Sequence, residues 1–480
     1  NERVESMRRR SLLREVLRST SGKVGALLAL VLVVGSIVVV TTLPLDFGTA
    51  SWSNPSVWAD NPKAVPPVWA SAFSSDRPAD HRVLEASEPT ETTERGAGRV
   101  EVFDLGLTYE EDLPPSFLSF SLGPVTYLDR PPSLSVTLLR PDGTQVPLLR
   151  TTVRGPRPTE EPPIERHHET PLRVLITAEP ETAEAAAAML LEAYGVEIPA
   201  SQLEGQVPAA LFGVPDADGE LVPLRGDYVV QVRAALAQPE DTIEWVRTVI
   251  GGGAFGLLGT DGSGRDLVQG LAFGLPVALI IGILVTTVST SIGTGLGMLS
   301  GYKGGRTDLV IQRVADVVNN VPTLPLLIFL IFIFGASLPL IMFFLVAFSW
   351  PGLTILVRSM VLGLSGSQEV DAARALGATS RQILTRHIFP HIAPYIFAQL
   401  IFSVPAVILV EAGLSFLGLG DPSVPTWGQI LQDGYQTGAV FLGHWWWVVS
   451  PGLLIVITAM TFVLLARAME PVVNPKLRRD

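Results

Sequence analysis

Long apolar runs occupy both ends of the chain, and between them residues 46–255 alternate apolar and polar positions in the manner of strands. The first run, Val24–Leu45, has 22 residues. As a helix it is about 33 Å long, enough to cross a bilayer. A secretory signal is the competing reading, and Arg8, Arg9 and Arg10 invite its twin-arginine form. The run exceeds a signal's apolar region and lacks a small-residue cleavage site, so an uncleaved helix behind a cytoplasmic N-terminus, residues 1–23, is expected. Further runs follow at Leu267–Leu299, Val321–Phe334 (interrupted by Pro322 and Pro325), Leu338–Val357, Tyr395–Leu419 and Trp445–Leu465. Trp445, Trp446 and Trp447 would form an interfacial belt. The pattern predicts a polytopic α-helical membrane protein with six transmembrane helices and a β-rich extracytoplasmic domain inserted after the first. The expected divisions are residues 1–23, 24–45, 46–255, a helical core at 256–470 and a cytoplasmic tail at 471–480.

Within the insertion, a Pro- and Trp-rich connector and an acidic stretch to about Arg99 read as loop. Strand patterns then appear at VEVFDLGLTY, SFLSFSL and SLSVTLLRPDGTQVPLLRTTV, the last with a Pro141-Asp142-Gly143 turn. Residues 156–171 carry too much Pro and charge for regular structure. Residues 180–194 are Ala- and Glu-rich and predict the domain's one helix; residues 208–213 and the hairpin-like 220–236 return to strand character. Such a length suffices for an independent core.

The helical core is broken by a polar stretch, QEVDAARALGATSRQILTRHIFPHIAP at 368–394. Ser367 can cap a first short helix with Glu369 in its first turn, and Asp371 and Arg374 can pair three residues apart. Val370, Ala373 and Leu376 share an apolar face. Gly377 permits a bend, and Thr379 with Gln382 is a capping-box start for a second helix, which Pro390 and Pro394 would stop. No catalytic constellation is needed; the stretch, within a loop at 362–394, reads as a rigid elbow for a partner to grip.

Charge places that elbow. The net charge is −12, but residues 46–266 hold 34 acidic against 16 basic side chains, while the remainder holds 12 against 18. Every Lys and Arg of the remainder lies at the N-terminus, in the 303–313 loop, in or beside the elbow, or in the tail, each on the inner side of a six-crossing topology. Both termini and the elbow are therefore expected in the cytoplasm. The chain has no Cys, which excludes disulfides, thiolate metal sites and a cysteine nucleophile.

The spacing Asp371-Ala372-Ala373, Gly377, Ile388-Phe389-Pro390 resembles the EAA loop of permease subunits of ABC importers, in the dipeptide, oligopeptide and nickel branch. Asp371 stands where that family usually has Glu, and His391 where the branch usually has Asn. GLLGTDGSGRDL at 256–267, GYKGGRTD at 301–308 and EAGLSFLGLGDPSVPTWGQIL at 411–431 extend the resemblance over most of residues 256–435. It implies a type I importer permease of a prokaryotic cytoplasmic membrane, multi-pass and forming half of a translocation pathway. The partners it implies are a second, different permease, two ATPase subunits and an extracytoplasmic substrate-binding protein. It also implies that Glu369, Asp371, Ala372, Ala373, Arg374, Gly377, Ile388 and Pro390 couple to the ATPases, and that Gly259, Thr260, Asp261, Gly264, Arg265 and Asp266 form a structural element near the external gate.

No GxxxxGK[ST] motif occurs, so no cofactor is expected on this chain; ATP and Mg would reside on the ATPase partners. The chain is thus expected to be a transport subunit rather than an enzyme, with the lipid bilayer and no nucleic acid among its partners. The Gly-rich run 251–264 reads as a flexible re-entry segment. Glu411, an acid inside the fifth apolar run, either serves function or holds helices together. His167 and His168 with Glu165 and Glu169 read as solvated loop rather than metal site. Peptides are the expected cargo, with nickel chelates, opines or oligosaccharides as alternatives; the rival class is a membrane-anchored extracytoplasmic receptor or enzyme.

Overall fold

The computed structural model describes residues 19–473, so the expected cytoplasmic segments lie partly outside the described residues, at 1–18 and 474–480. The chain divides into two compact units, Ser56–Leu267 and the remainder. The first helix, α1 (Thr20–Thr42), belongs to the second of these and starts four residues before the apolar run, with Ser19 accepting from the Gly22 amide. Gly25 allows it to pack closely on the last helix of the chain, since a Cβ there would stand 3.0 Å from the Leu465 nitrogen.

In Ser56–Leu267 the strands are β1 (Arg82–Ala86), β2 (Glu91–Arg95), β3 (Gly98–Tyr109), β4 (Leu118–Leu122), β5 (Val125–Tyr127), β6 (Ser133–Leu139), β7 (Gln145–Thr152), β8 (Ile164–Arg166) and β9 (Leu172–Val174). Helices α2 (Pro180–Tyr194) and α3 (Val207–Phe212) follow, and then β10 (Gly213–Pro215), β11 (Leu221–Pro223), β12 (Gly226–Leu236), β13 (Thr242–Ile243) and β14 (Val246–Ile250). A five-stranded sheet runs β2-β3-β12-β6-β7 and a four-stranded one β1-β14-β4-β9, with smaller sheets β13-β5-β8 and β10-β11. β12 is central, Val232 lying opposite Phe103 on one side and Val136 on the other. Its alternation buries Tyr228, Val230, Val232 and Ala234 in a core shared with Phe120 and Leu122 of the other large sheet.

Five local expectations need correction. Residues 156–171, expected without regular structure, hold β8, which pairs with β5. The stretch before Arg99 holds β1, whose pairing partner β14 lies far along the chain, and β2, which forms a tight local hairpin with β3. Residues 208–213 fall mostly in a second helix, α3, whose buried Ala210, Leu211 and Phe212 follow the continuous apolar run that also suits a strand. Residues 220–236 are no hairpin: β11 pairs with β10, and β12 with β3 and β6. Residues 256–266 associate with this unit instead of the helical one. Thr260 donates to the Pro62 carbonyl (2.7 Å) and accepts from the Val65 amide (3.2 Å), so this Gly-rich segment is pinned where free re-entry was expected.

The other unit continues with α4 (Leu267–Lys303), α5 (Gly305–Asn320), α6 (Thr323–Phe334), α7 (Leu338–Ser365), α8 (Gln368–Ala375), α9 (Ser380–Leu419), α10 (Trp427–Gln436) and α11 (Trp445–Val473). Among the described residues α1, α4, α7, α9 and α11 are each long and apolar enough to cross a membrane; α5 and α6 pass only as a pair, bent by 81° at Val321–Pro322. The break falls at Val321, whose backbone is extended (ψ 129°) as the residue before a proline prefers, and Pro325 sits in the first turn of α6. Gly293, Gly297 and Gly301 line the contact of α4 with α7: a Cβ on each would meet the carbonyl of Trp350, Thr354 or Arg358 at 2.9, 2.7 and 2.8 Å. Trp446 and Trp447 are buried and only Trp445 is exposed, so the expected aromatic belt reduces to one ring.

Candidate coupling surface

The elbow is α8, a turn and the start of α9. Ser367 accepts from the Val370 amide (3.5 Å) at the start of α8. Its end closes with the Ala378 amide donating to the Ala373 carbonyl (3.0 Å) and the Gly377 amide to the Arg374 carbonyl (3.1 Å). This Schellman closure puts Gly377 at φ +83°, where an L side chain is strained. Thr379 then accepts from the Gln382 amide (3.3 Å) while Gln382 accepts from the Thr379 amide (2.8 Å), a complete capping box.

α9 does not stop at Pro390 or Pro394. Ile383–Ile388 form a π-turn, and Pro390 falls in the first turn of the α-helical segment after it, where the missing amide costs little. Pro394 and Pro405 lie inside the same 40-residue helix. α7 likewise runs on to Ser365, eight residues past the Val357 limit expected for its span. The polar break is therefore shorter than 362–394, and the elbow is rooted directly in two long helices.

One face is buried and one is open. Val370, Ala373, Ile383 and Ile388 share a core with Val357, Val361 and Ile392. Leu376 does not join its expected neighbours: it is 89 % exposed, because the helix ends there and the left-handed Gly377 turns the chain away. Of the expected coupling residues, Glu369, Asp371, Ala372, Arg374 and Gly377 lie on the open surface, Pro390 is half-buried, and Ala373 and Ile388 face inward. Arg374 pairs with Asp371 (3.4 Å) and stands 6.0 Å from the centre of the Tyr302 ring.

The tie between the two arms of the elbow was not anticipated. Glu369 Oε1 lies 3.0 Å from His387 Nδ1, and Oε2 lies 3.1 Å from His391 Nε2. The hydrogen bond from His387, then that from His391, hold the Glu369 carboxyl below the usual glutamate value. A sequence signal existed: His387 and His391 are four apart and thus on one helix face. Nothing local said that Glu369 would meet that face. Behind the elbow, Arg358 on α7 grips Asp308 on α5 with two bonds of 2.5 Å.

The 259–266 residues form a separate closed loop. Thr260 bridges Asp266, and Asp261 Oδ1 accepts from the Ser263 (2.8 Å) and Arg265 (2.9 Å) amides while Oδ2 binds the Arg265 guanidinium. Burial holds the Asp261 carboxyl above its ordinary value, against the pull of Arg265. Gly264, at φ +82°, packs against the carbonyls of Asn61 and Trp58, each 3.1 Å from where a Cβ would stand. Glu411 is buried and accepts from Ser415 Oγ (2.7 Å), which in turn contacts Thr426, the cap of α10. This favours helix holding for that acid.

Residues 293–479 match the family described as binding-protein-dependent transport system inner membrane component. The dipeptide transport system permease protein DppC of Bacillus subtilis is 33 % identical over 222 residues, covering 46 % of this chain and 69 % of the relative. The oligopeptide transport system permease protein OppC of Haemophilus influenzae is 34 % identical over 221 residues, 46 % of this chain and 70 % of the relative. Among solved structures, the inward-facing MetNI methionine ABC transporter aligns with 44 % of this chain and 98 % of its own at 19 % identity and a TM-score of 0.35. The matched span holds the elbow, its two helix caps and the glycine-lined helix pair, and with two relatives matched over more than two thirds of their length, the chain belongs to the family of inner-membrane permease components of binding-protein-dependent transport systems.

Proposed function

We propose that this chain is the permease subunit of a peptide-importing ABC transporter, forming half of the pathway beside a second, different permease. The observation that carries the reading is the elbow: an exposed ridge of Glu369, Asp371, Ala372, Arg374 and Gly377 on a buried apolar underside. A ridge so rooted moves with α7 and α9, as a lever must. Two ATPase subunits bind ATP and Mg and grip the ridge in the cytoplasm; nucleotide-driven closure turns the bundle. Ala373, Ile388 and Pro390 act from beneath, by holding the ridge in shape. Relatives named for dipeptide and oligopeptide transport support peptide cargo. The reading counts six crossings, the bent α5–α6 pair being one, with both termini inside and Ser56–Leu267 outside, its 259–266 loop beside the external gate.

Affinity purification of the tagged chain from its native membrane tests this. Two ATPases and a second permease should co-purify; their absence would refute the assignment. The external unit is proposed to dock the binding protein. The Val68 amide bonds the Gly256 carbonyl (3.0 Å), so residues 69–254 can be replaced by a short glycine linker without moving the ends. Unchanged association of the binding protein with the shortened complex would exclude docking.

A further inference from the structure

In the Ser56–Leu267 unit one short element buries none of its side chains. The 3-10 helix Val68–Phe73 leaves Trp69 47 % and Phe73 86 % exposed, and Leu257, on the segment bound to it, is 70 % exposed. Trp69 Nε1 donates to the Leu257 carbonyl (2.7 Å), and the Phe255 amide donates to the Pro66 carbonyl (2.9 Å), so the two segments form one surface. A Trp whose N–H is satisfied, with an open Phe and an open Leu, offers a partner apolar contact and asks for no polar one.

Charge and chain position say what covers this surface. Residues 64–75 and 248–260 contain no Asp, Glu, Lys or Arg, in a stretch where 46–266 hold 34 acidic and 16 basic side chains. A protein-docking site carries a polar rim, whereas a lipid contact needs none. Charge returns on one side only: Val68 and Ser71 border a concavity with Arg77, Asp80 and Arg82, to which Trp69, Phe73 and Leu257 do not contribute. Leu257 also stands beside the entry of a membrane helix. Two residues on, the Gly259 carbonyl accepts from the amide of Leu267 (3.2 Å), the first residue of α4. From Leu267 to Lys303 that helix has no charged residue, and it is long and apolar enough to cross a bilayer.

We propose that Trp69, Phe73 and Leu257 dip into the bilayer surface at which α4 begins and seat this unit on the lipid. Trp sits at the headgroup level because its ring is apolar and its N–H polar, while Phe and Leu reach the acyl boundary. The contact is apolar and requires no anionic lipid. The proposal rests on α4 crossing the membrane and holds whatever the cargo.

The chain contains no cysteine, so Ser75→Cys provides a single thiol beside the surface and leaves the surface intact. The full chain, labelled there with the fluorophore NBD, is placed in phosphatidylcholine nanodiscs with and without lipid carrying a nitroxide high on its acyl chain. The nitroxide should quench this label, and one at Leu257→Cys, strongly; a label at Leu191→Cys, 52 % exposed on α2, should stay bright. Phe73→Ser with Leu257→Ser should remove most of the quenching at Ser75→Cys. Both changed side chains are exposed, and if the pair nevertheless misfolds in gel filtration, Phe73→Ser alone decides. Labels at 75 and 257 that ignore the nitroxide, quenching equal at 191, or quenching undiminished in the folded serine variant would overturn the contact. So would a label silent to lipid that shifts when binding protein is added, since the surface would then serve a protein. Neither ATPases nor peptide enter these measurements, so failure of the transport assignment would leave their outcome standing.

Discussion

Gly377 sets the geometry of the elbow, because its left-handed backbone is what ends α8 and starts α9 in a new direction. Placing an L side chain there costs roughly 1–2 kcal/mol, and more for a β-branched one. Nothing lies within 4 Å of a Cβ at this position, so the cost is backbone strain alone. Gly377→Val should therefore lower ATPase retention on the purified complex and the peptide moved per ATP, while Gly377→Asn should keep most of both; equal behaviour of the two would show that the conformation is unimportant. Glu369 adds a pH dependence. Its carboxyl is lowered by His387 and His391, so its contribution is present above the ordinary glutamate range and fades as pH falls through the lowered value. Protection of the 383–391 amides against hydrogen exchange, taken relative to the intrinsic rate at each pH, should fall on acidification in the wild type. In Glu369→Gln that protection should be low throughout, and a wild type whose protection is insensitive to acid would contradict the tie.

At the scale of elements, the β6–β7 hairpin of the external unit is joined to α2 and α3 through a buried cation. Arg140 donates to the Ala210 (3.1 Å) and Gly213 (2.8 Å) carbonyls and pairs with Asp142 (3.2 Å). Burial raises the Asp142 carboxyl, but bonds from Thr144 and Tyr194 and the charge of Arg140 outweigh it and leave its pKa at about 2. That contribution is complete above the ordinary aspartate value and is lost only as pH falls toward about 2. Asp142→Asn strands a buried charge and should cost on the order of 2–3 kcal/mol. Thermal unfolding of the full chain in detergent, followed by strand signal, would show an earlier transition; an unmoved transition would mean the carbonyls alone satisfy Arg140. The Pro141-Asp142-Gly143 turn itself was legible, since its residue types act within four positions. The pairing of β12 was not, because its partners β3 and β6 lie about a hundred residues away.

At the scale of the whole chain, topology is open to direct labelling because the sequence contains no cysteine. Leu376 in the elbow and Phe441 in the turn between α10 and α11 are 89 % and 93 % exposed, so a thiol at either position is reachable. With six crossings, Leu376→Cys should react with an impermeant maleimide only after the membrane is opened, and Phe441→Cys in intact cells. Reaction of both from the same side would refute the crossing count.

The sequence by itself determined the family, the apolar runs and the caps of the elbow, because each depends on residue types within a few positions: Ser367, Thr379 with Gln382, and Gly377 act on their own turns. It also exposed the glycine spacing of α4, whose partner carbonyls on α7 repeat at the same interval. The tertiary structure alone decided which side of the elbow is open, since burial is a property of neighbours: Leu376 shares a helical face with Val370 in the pattern and lies outside in the fold. The same holds for the grip of Glu369 on two histidines and for the bond that brings Trp69 to Leu257, 188 residues further on. Contacts between residues far apart in the chain leave no local mark, and they are where this protein's candidate chemistry resides.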